Sequence, residues 1–447
     1  MLGSAVRLKP LPLHLDINKL DKYYFLIMTL IYRKVISCKE IEGFPLTKIR
    51  KGVFIMFYLG IDIAKVNHVA SLIGEDGSVL LKAIKFTNSN DGLQKLIDSI
   101  SVYDLSQIYC AMEATGDFWL SLFSALTDKD FNVSVFNPYQ IKSFRGAYSN
   151  RKQKNDVIDS IIIADFLRFN GVNQTCLPND DLLALKNLTR YRSNLVNNIA
   201  KIKTQIKGIL HKVFPEYSDI FSDVFGNSSK QILLNCPTPS EVVNFNTRKL
   251  ANLLKKASKG RHGSDTVRKI KDLAKNSFGI KFTGDACSFE IKQLVSQIIF
   301  LEDQVDELDL KIKEIYSNLD SHLESIPGIG KTIAPIILAE IGDINNFSTT
   351  SKLTAFAGID PSENQSGNKK STNEKTSKRG SPYLRHAIYQ AAFIATNNDP
   401  VMHDYYIKKR AEGKHHYVAL AGVERKLLGI IYHVLKENRD YRPPKSS

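Results

Sequence analysis

The chain reads as an α/β domain followed by a long, mostly helical region. Three observations predict this. Apolar residues alternate at period two in short runs between Phe57 and Phe136. Two long runs between Leu188 and Leu319 carry apolar residues at three-and-four spacing. Hydrophobic residues make up 43% of the sequence, enough to fill real cores.

With 447 residues the chain is long for one domain. Its 61 Lys/Arg against 46 Asp/Glu give a net charge of +15, which favours a polyanionic partner. Cys38, Cys110, Cys176, Cys236 and Cys287 are scattered, with no CxxC pair and no Cys/His cluster. That argues against a zinc site and suits a reducing cytoplasm. The apolar run Tyr23–Tyr32 is too short to cross a bilayer, so no membrane role is expected.

Residues 1–55 carry no clean period, and Met56 stands directly before a strong strand signal. Two readings are open, an ordered N-terminal arm or a chain whose translation begins at Met56. The second is favoured, because nothing in the segment completes a later motif. Without it the remainder would still carry +9.

Phe57–Ile63, His68–Ile73 and Val79–Phe86 read as strands, with Glu75-Asp76-Gly77-Ser78 as a hairpin turn. Gly92–Ile100 reads as a helix, Gln107–Met112 as a strand, Phe118–Leu126 as a helix, Asn132–Phe136 as a strand and Asp156–Phe169 as an apolar-faced helix. The order β-β-β-α-β-α-β-α matches the RNase H-like arrangement, a sheet flanked by helices.

The middle of the chain is helical. One run passes through Leu188, Tyr191, Leu195, Ile199, Ile202, Ile206, Ile209 and Val213. A stricter one runs from Ile291 through Ile298, Val305 and Ile312 to Leu319. Each covers about four heptads, the length at which a coiled coil is expected, with two core helices of a bundle as the alternative. Between them, Pro215–Ser288 reads as a mixed helical insert in which no chemistry is legible. Helices are expected over Thr332–Ile341, Pro382–Thr396 and Tyr417–Lys436, with a polar, basic segment at Ser362–Arg379. The expected domains are 56–175, 176–320 with its insert at about 215–289, and 321–447.

Four acids stand out: Asp62 in Gly-Ile-Asp-Ile-Ala-Lys, Glu113 in Met-Glu-Ala-Thr-Gly, and Asp156 and Asp159 in Lys-Asn-Asp-Val-Ile-Asp. An acid in an apolar strand is costly unless compensated, and the i,i+3 pair shares one helix face. Converging carboxylates repel one another, and Mg2+ or Mn2+ would relieve that repulsion through hard oxygen ligands. Two such ions can clamp both oxygens of an in-line phosphoryl displacement.

In Ile326-Pro327-Gly328-Ile329-Gly330-Lys331 the pattern is that of a helix-hairpin-helix turn, where Gly328, Gly330 and Lys331 could approach a phosphate. An ordinary tight turn is the competing reading. Lys369, Lys370, Lys375, Lys378, Arg379 and Arg385 face one nearby acid, Glu374. Composition alone does not separate a solvated loop from a phosphate clamp there, and serine is commonplace in loops.

At these motifs the sequence resembles the DEDD-type transposases of the insertion-sequence family numbered one-ten. The likeness runs from Met56 to about Lys436, through GIDIAK, EATG, Phe136-Asn137-Pro138 and KNDVID, then IPGIGKTIAPIILAEIGDI, FAGIDP, SG, SKRG, YLR and ERKLLGIIY. The resemblance implies a RuvC-like domain joined by a coiled coil to a distinct transposase domain. It implies that Asp62, Glu113, Asp156 and Asp159 are metal ligands and that a C-terminal serine attacks DNA. Ser366 matches the Ser-Gly position best, and Ser377 in Ser-Lys-Arg-Gly is the runner-up.

The family also implies donor and target DNA, an element-encoded structured non-coding RNA as guide, a homo-oligomer (dimer or tetramer) and a nucleoid-associated, prokaryotic setting. Asn155 and Ser160 depart from the family's usual Thr and Ala beside the third and fourth acids. The alternatives are a metal-dependent junction-type endonuclease using water and a non-catalytic nucleic-acid-binding scaffold.

Overall fold

A computed structural model describes residues 56–443, except 115, 117, 149–154, 173–174, 176–178, 362–364, 367–368 and 371–375. The expectation for residues 1–55 lies outside the described residues. The chain divides into two compact units, one ending at Cys176 and the other beginning at Leu177.

The first unit is built on a five-stranded mixed sheet in the order β3-β2-β1-β4-β5. Its strands are β1 (Phe57–Asp62), β2 (Asn67–Ile73), β3 (Val79–Thr87), β4 (Ile108–Glu113) and β5 (Asn132–Phe136). The first three form an antiparallel meander, whereas β4 and β5 run parallel to β1. Central β1 is a continuous apolar run, as a strand covered on both faces must be. Edge strand β3 is largely exposed.

Among the described residues four α-helices complete the unit: α1 (Asn90–Ile100), α2 (Phe118–Thr127), α3 (Pro138–Tyr148) and α4 (Asp156–Asn170). All the expected strands and helices form here, within two residues at either end. Helix α3 was not anticipated. It begins where the Asn137 side chain accepts from Tyr139 N at 2.9 Å and Pro138 opens the helix, a recognisable start signal.

Helix α4 lies very close to β1. A Cβ on Gly60 would sit 2.1 Å from Ser160 O and 2.3 Å from Ala164 N, so only glycine allows this approach. Beneath it, Ser160 Oγ and Ser71 Oγ share a buried hydrogen bond of 2.8 Å. The unexpected serine at 160 is thus matched by a polar partner on β2, which removes the cost of burying it.

Among the described residues the second unit is helical apart from a small hairpin and a β-bridge beside it. Helices α5 (Asp180–Val213) and α10 (Gly284–Ser317) carry the two heptad-like runs. They pack on each other antiparallel, as the pairs Arg192–Asp309 (2.5 Å) and Lys203–Glu302 (3.5 Å) require. The apolar stripes are therefore spent largely within one chain.

One end of this pair joins α6 (Asn227–Asn235), α7 (Pro239–Asn244), α8 (Thr247–Ala257) and α9 (Ser264–Lys275) in a core around Phe214, Tyr217, Leu233, Leu250 and Ile270. The insert is thus a folded subdomain. The other end, through Leu185, Ile312 and Tyr316, joins a second core. That core contains α11 (Ile333–Ile341), α12 (Thr350–Ala357), α13 (Pro382–Asn398), α14 (Pro400–Ala411) and α15 (His416–Glu437).

Every residue of α11 is buried, including Glu340. Its carboxylate is held bidentately by Arg190 at 2.6 and 3.0 Å and accepts from Ser381 Oγ at 2.7 Å, which offsets the cost of burying the charge. Among the described residues no helix is long and apolar enough to cross a membrane.

Candidate carboxylate site and serine segment

Asp62 ends β1 and Glu113 ends the adjacent parallel strand β4. The register pairs Ile61 with Met112, so the two acids follow side by side at the carboxyl edge of the sheet. This is the edge where open α/β sheets present their chemistry. Asp156 and Asp159 occupy the first turn of α4, whose N-cap Asn155 accepts from Val157 N at 3.0 Å. The glycine-mediated approach of α4 to β1 carries these acids to Asp62.

The electrostatics express this convergence. Burial pushes the Asp62 carboxyl up to about 6, and the charges of Asp159, Asp156 and Glu113 add to the shift. Arg145 on α3 opposes it. Four separate elements, β1, β4, α4 and α3, therefore bring four mutually repelling carboxylates and one cation within electrostatic reach of one another.

Asp159 is the buried member, 5% exposed, and Arg145 Nη2 lies 2.6 Å from its Oδ1. Among the described residues Oδ1 has this counter-charge but no hydrogen-bond partner. Asp156 is exposed, and Asp62 and Glu113 are half-buried. An all-oxygen donor set with a buried, unsatisfied oxygen suits a hard divalent cation. Among the described residues, no three acid, histidine or cysteine side chains close on one point as ligands must. A cation would have to draw them together.

Arg145 was missed in the sequence. It stands 14 residues before Asp159, and only helix α3 brings it near. The Asn137-Pro138 start signal was the available clue.

In the second unit, the Ile-Pro-Gly-Ile-Gly element precedes α11. Gly328 adopts φ +95°, and a Cβ there would lie 2.5 Å from Ala391 O on α13. Its close backbone approach is thus to a helix of the same unit. Gly330 is open, with nothing within 4 Å of a Cβ, and Lys331 is exposed. The Gly330 carbonyl accepts from both Ile333 N and Ala334 N at 2.9 Å, so two of the first amides of α11 are already used.

The polar segment contains β6 (Gln365–Ser366) and β7 (Lys369–Lys370), paired antiparallel with Ser366 opposite Lys369. Their side chains lie outside the described residues. Ser377 is described: its Oγ donates to Asp360 Oδ1, and its N–H donates to Asp360 O at 2.9 Å.

The two motifs FAGIDP and SKRG lie against each other. A Cβ on Gly380 would meet Phe356 O at 1.7 Å, and Gly358 (φ +69°) sits against Gly380 N and Arg385 Nη1. Arg385 donates to Ala357 O at 3.2 Å, which ties it to this junction, while Lys378 and Arg379 are exposed. The carboxylates and this segment belong to different units.

Comparison with known proteins identifies the family. The profile of the DEDD transposases of IS110, described as a transposase, matches residues 59–215, which include all four acids. A second profile, of the transposase IS116/IS110/IS902 family, matches residues 320–407, which include both serines. The candidate mini-circle transposase of IS117 from Streptomyces coelicolor is 24% identical over 86% of this chain and 95% of its own length. A 42 kDa protein of insertion element IS900 from Mycobacterium paratuberculosis is 24% identical over 86% of this chain and 97% of its own. The pilin gene-inverting protein of Moraxella bovis is also 24% identical over 86% of this chain and 97% of its own. With family models matching both an N-terminal and a C-terminal stretch and relatives aligned over nearly their whole length, the chain belongs to the IS110 family of DEDD transposases, and it is a DNA recombinase.

Proposed function

We propose that this transposase cuts and rejoins the DNA strands of its insertion sequence with two sets of residues, metal-binding carboxylates and a serine nucleophile. The observation that carries the reading is the delivery of Asp62, Glu113, Asp156 and Asp159 to the carboxyl edge of one sheet by β1, β4 and α4. These four would hold Mg2+ or Mn2+, which when bound supplies positive charge to the scissile phosphate. Arg145 then provides a fixed positive charge at the same edge.

The serine hydroxyl attacks phosphorus. The bond to the displaced strand oxygen breaks, the hydroxyl proton passes to a base, and the displaced oxygen leaves protonated. The energy of the broken phosphodiester is kept in the serine–DNA ester, and reversal onto a second strand rejoins it. Ser366 is favoured by its match to the family's Ser-Gly position. Ser377 has a specific observation behind it as the second reading, because its hydroxyl already donates a hydrogen bond to Asp360, a carboxylate able to take the proton. Lys369, Lys370, Lys378 and Arg379, with Gly330 and Lys331 before α11, are placed with the phosphate contacts in this reading.

The net charge of +15 supports a nucleic-acid partner beyond the cut site. An element-encoded RNA pairing with donor and target DNA would supply sequence choice, and a dimer or tetramer would bring the two sets of residues together. A strand-transfer assay with and without Mg2+ tests the whole reading. Recombined product that needs the metal and the guide RNA is expected. Free ends alone indicate a water-using junction nuclease, and binding without either product indicates a scaffold.

A further inference from the structure

The helical insert between α5 and α10 carries exposed aromatic rings that its own fold holds outward. The loop joining α9 to α10 is fixed at successive residues. Ser277 Oγ and Phe278 N donate to the two oxygens of Glu216, at 2.6 and 2.9 Å. Ile280 N donates to Lys212 O at 3.0 Å. Between them, a Cβ on Gly279 would lie 2.0 Å from Val213 O, so the backbone rests directly on the end of α5.

Phe278 is therefore held between anchored neighbours, yet it is 93% exposed, and Phe282 beyond it is 71% exposed. The inner side of the loop walls a cavity of about 490 Å³ whose opposite wall includes Thr238, Ser240 and Asn244. That volume is in the range of small-ligand pockets. Lys275 and Lys281 line it, and Lys212 is exposed beside the loop. Among the described residues none of these three lysines is within ion-pair distance of an acid. Glu216 is committed to the loop, and Asp272 and Asp285 are the exposed acids flanking it. Across residues 215–288, twelve Lys/Arg stand against seven Asp/Glu.

We propose that this surface binds unpaired nucleic acid, with Phe278 and Phe282 stacking on bases, Lys275 and Lys281 contacting backbone phosphates, and the cavity receiving one nucleotide. Flat apolar rings among cations are what single-strand binding uses, because every base offers a π-face whatever its identity. A second copy of the chain fits less well, since a twofold contact through this patch would oppose its own lysines. The proposal rests on the reading of the chain as a nucleic-acid enzyme with a partly single-stranded partner.

The test uses the full chain and short fluorescein-labelled DNA and RNA oligonucleotides, single-stranded and as duplexes, followed by anisotropy. Phe278→Ala and Phe282→Ala should each weaken single-strand binding at least about fivefold and leave duplex binding and the melting temperature unchanged. Lys275→Ala with Lys281→Ala should flatten the salt dependence. Photocrosslinking of 5-iodouracil oligonucleotides should map to Phe278 or Phe282. Wild-type single-strand binding that both phenylalanine variants retain overturns this site alone. No binding of any oligonucleotide by the wild type overturns the broader reading as well. A change in sedimentation without a change in affinity makes the surface a protein contact and overturns the proposal.

Discussion

Arg145 on α3 holds its guanidinium 2.6 Å from the buried carboxylate of Asp159 on α4, inside a cluster otherwise made of acids. Removing this cation leaves a buried charge without compensation, a change that destabilises folded proteins. Because Arg145 is partly exposed, a discounted loss of about 2 kcal/mol is expected for Arg145→Gln without divalent ions. Saturating Mg2+ should recover most of it by supplying the missing charge. Thermal melts with and without MgCl2 check this, and an equal loss in both would make Arg145 a purely structural contact.

Asp62→Asn removes one of four repelling charges while keeping the side-chain shape. The variant should melt higher than wild type at neutral pH without metal, because burial and three neighbouring acids disfavour the Asp62 carboxylate. It should also lose strand cleavage and the stabilisation by Mg2+. Cleavage at the wild-type rate would take Asp62 out of the site.

Gly60→Ala tests the contact that brings α4 to β1. The added methyl would lie 2.1 Å from Ser160 O, so the helix must move away. Overpacking of this kind costs about 1–3 kcal/mol. Cleavage should fall together with stability, since Asp156 and Asp159 would retreat from Asp62. Full activity in a folded Gly60→Ala protein would show that this approach does not set the site.

Much of this was legible in the sequence, and what was not has definite physical causes. Strands β1, β2, β4 and β5 announce themselves because a buried strand needs an apolar run and turn residues at its ends. Their order matches an RNase H-like sheet, and the observed pairing of β4 with β1 sets Asp62 and Glu113 at the same edge. The stripes through Leu195 and Ile199 on α5 and through Ile291 and Ile298 on α10 were equally plain, but spacing encodes a stripe and not its partner. Here the partner is largely the other helix of the same chain. Gly328 shows the same limit: its glycine marks a close approach, and the approached backbone is Ala391 on α13. Arg145 does not stand out because its role depends on helix α3, whose one sequence clue is the Asn137-Pro138 start signal.

Glu424 on α15 gives a pH-dependent signature in the second unit. Burial pushes its carboxyl up to about 7, against the opposing pull of Arg425 and Arg385. A carboxyl whose pKa is raised on folding binds its proton more tightly in the folded state. Its contribution is therefore complete at low pH and is lost as pH rises from about 4.5 to about 7. Glu424→Gln should remove that loss, melting higher than wild type at pH 8 and converging with it near pH 4. Parallel melting curves for the two proteins across this range would mean that Glu424 ionises as freely as in the unfolded chain.

The nucleophile is decided by trapping. Ser366 lies in the short hairpin opposite Lys369, and Ser377 is held by Asp360 beside the junction of Gly358 and Gly380. Ser366→Ala should cost about 0.5 kcal/mol or less, the usual scale where a residue sits in a polar stretch outside any apolar pattern. Ser377→Ala should cost about 1 kcal/mol, because it breaks a hydrogen bond to a carboxylate in a partly buried place. If Ser366 attacks phosphorus, Ser366→Ala abolishes any covalent protein–DNA adduct while DNA and RNA binding persist, and Ser377→Ala still forms one. Mass spectrometry of the trapped complex reads this directly. DNA attached to the peptide holding Ser377 moves the nucleophile there, with Asp360 as the acceptor of its proton. No adduct from the active wild type turns the reaction into attack by water.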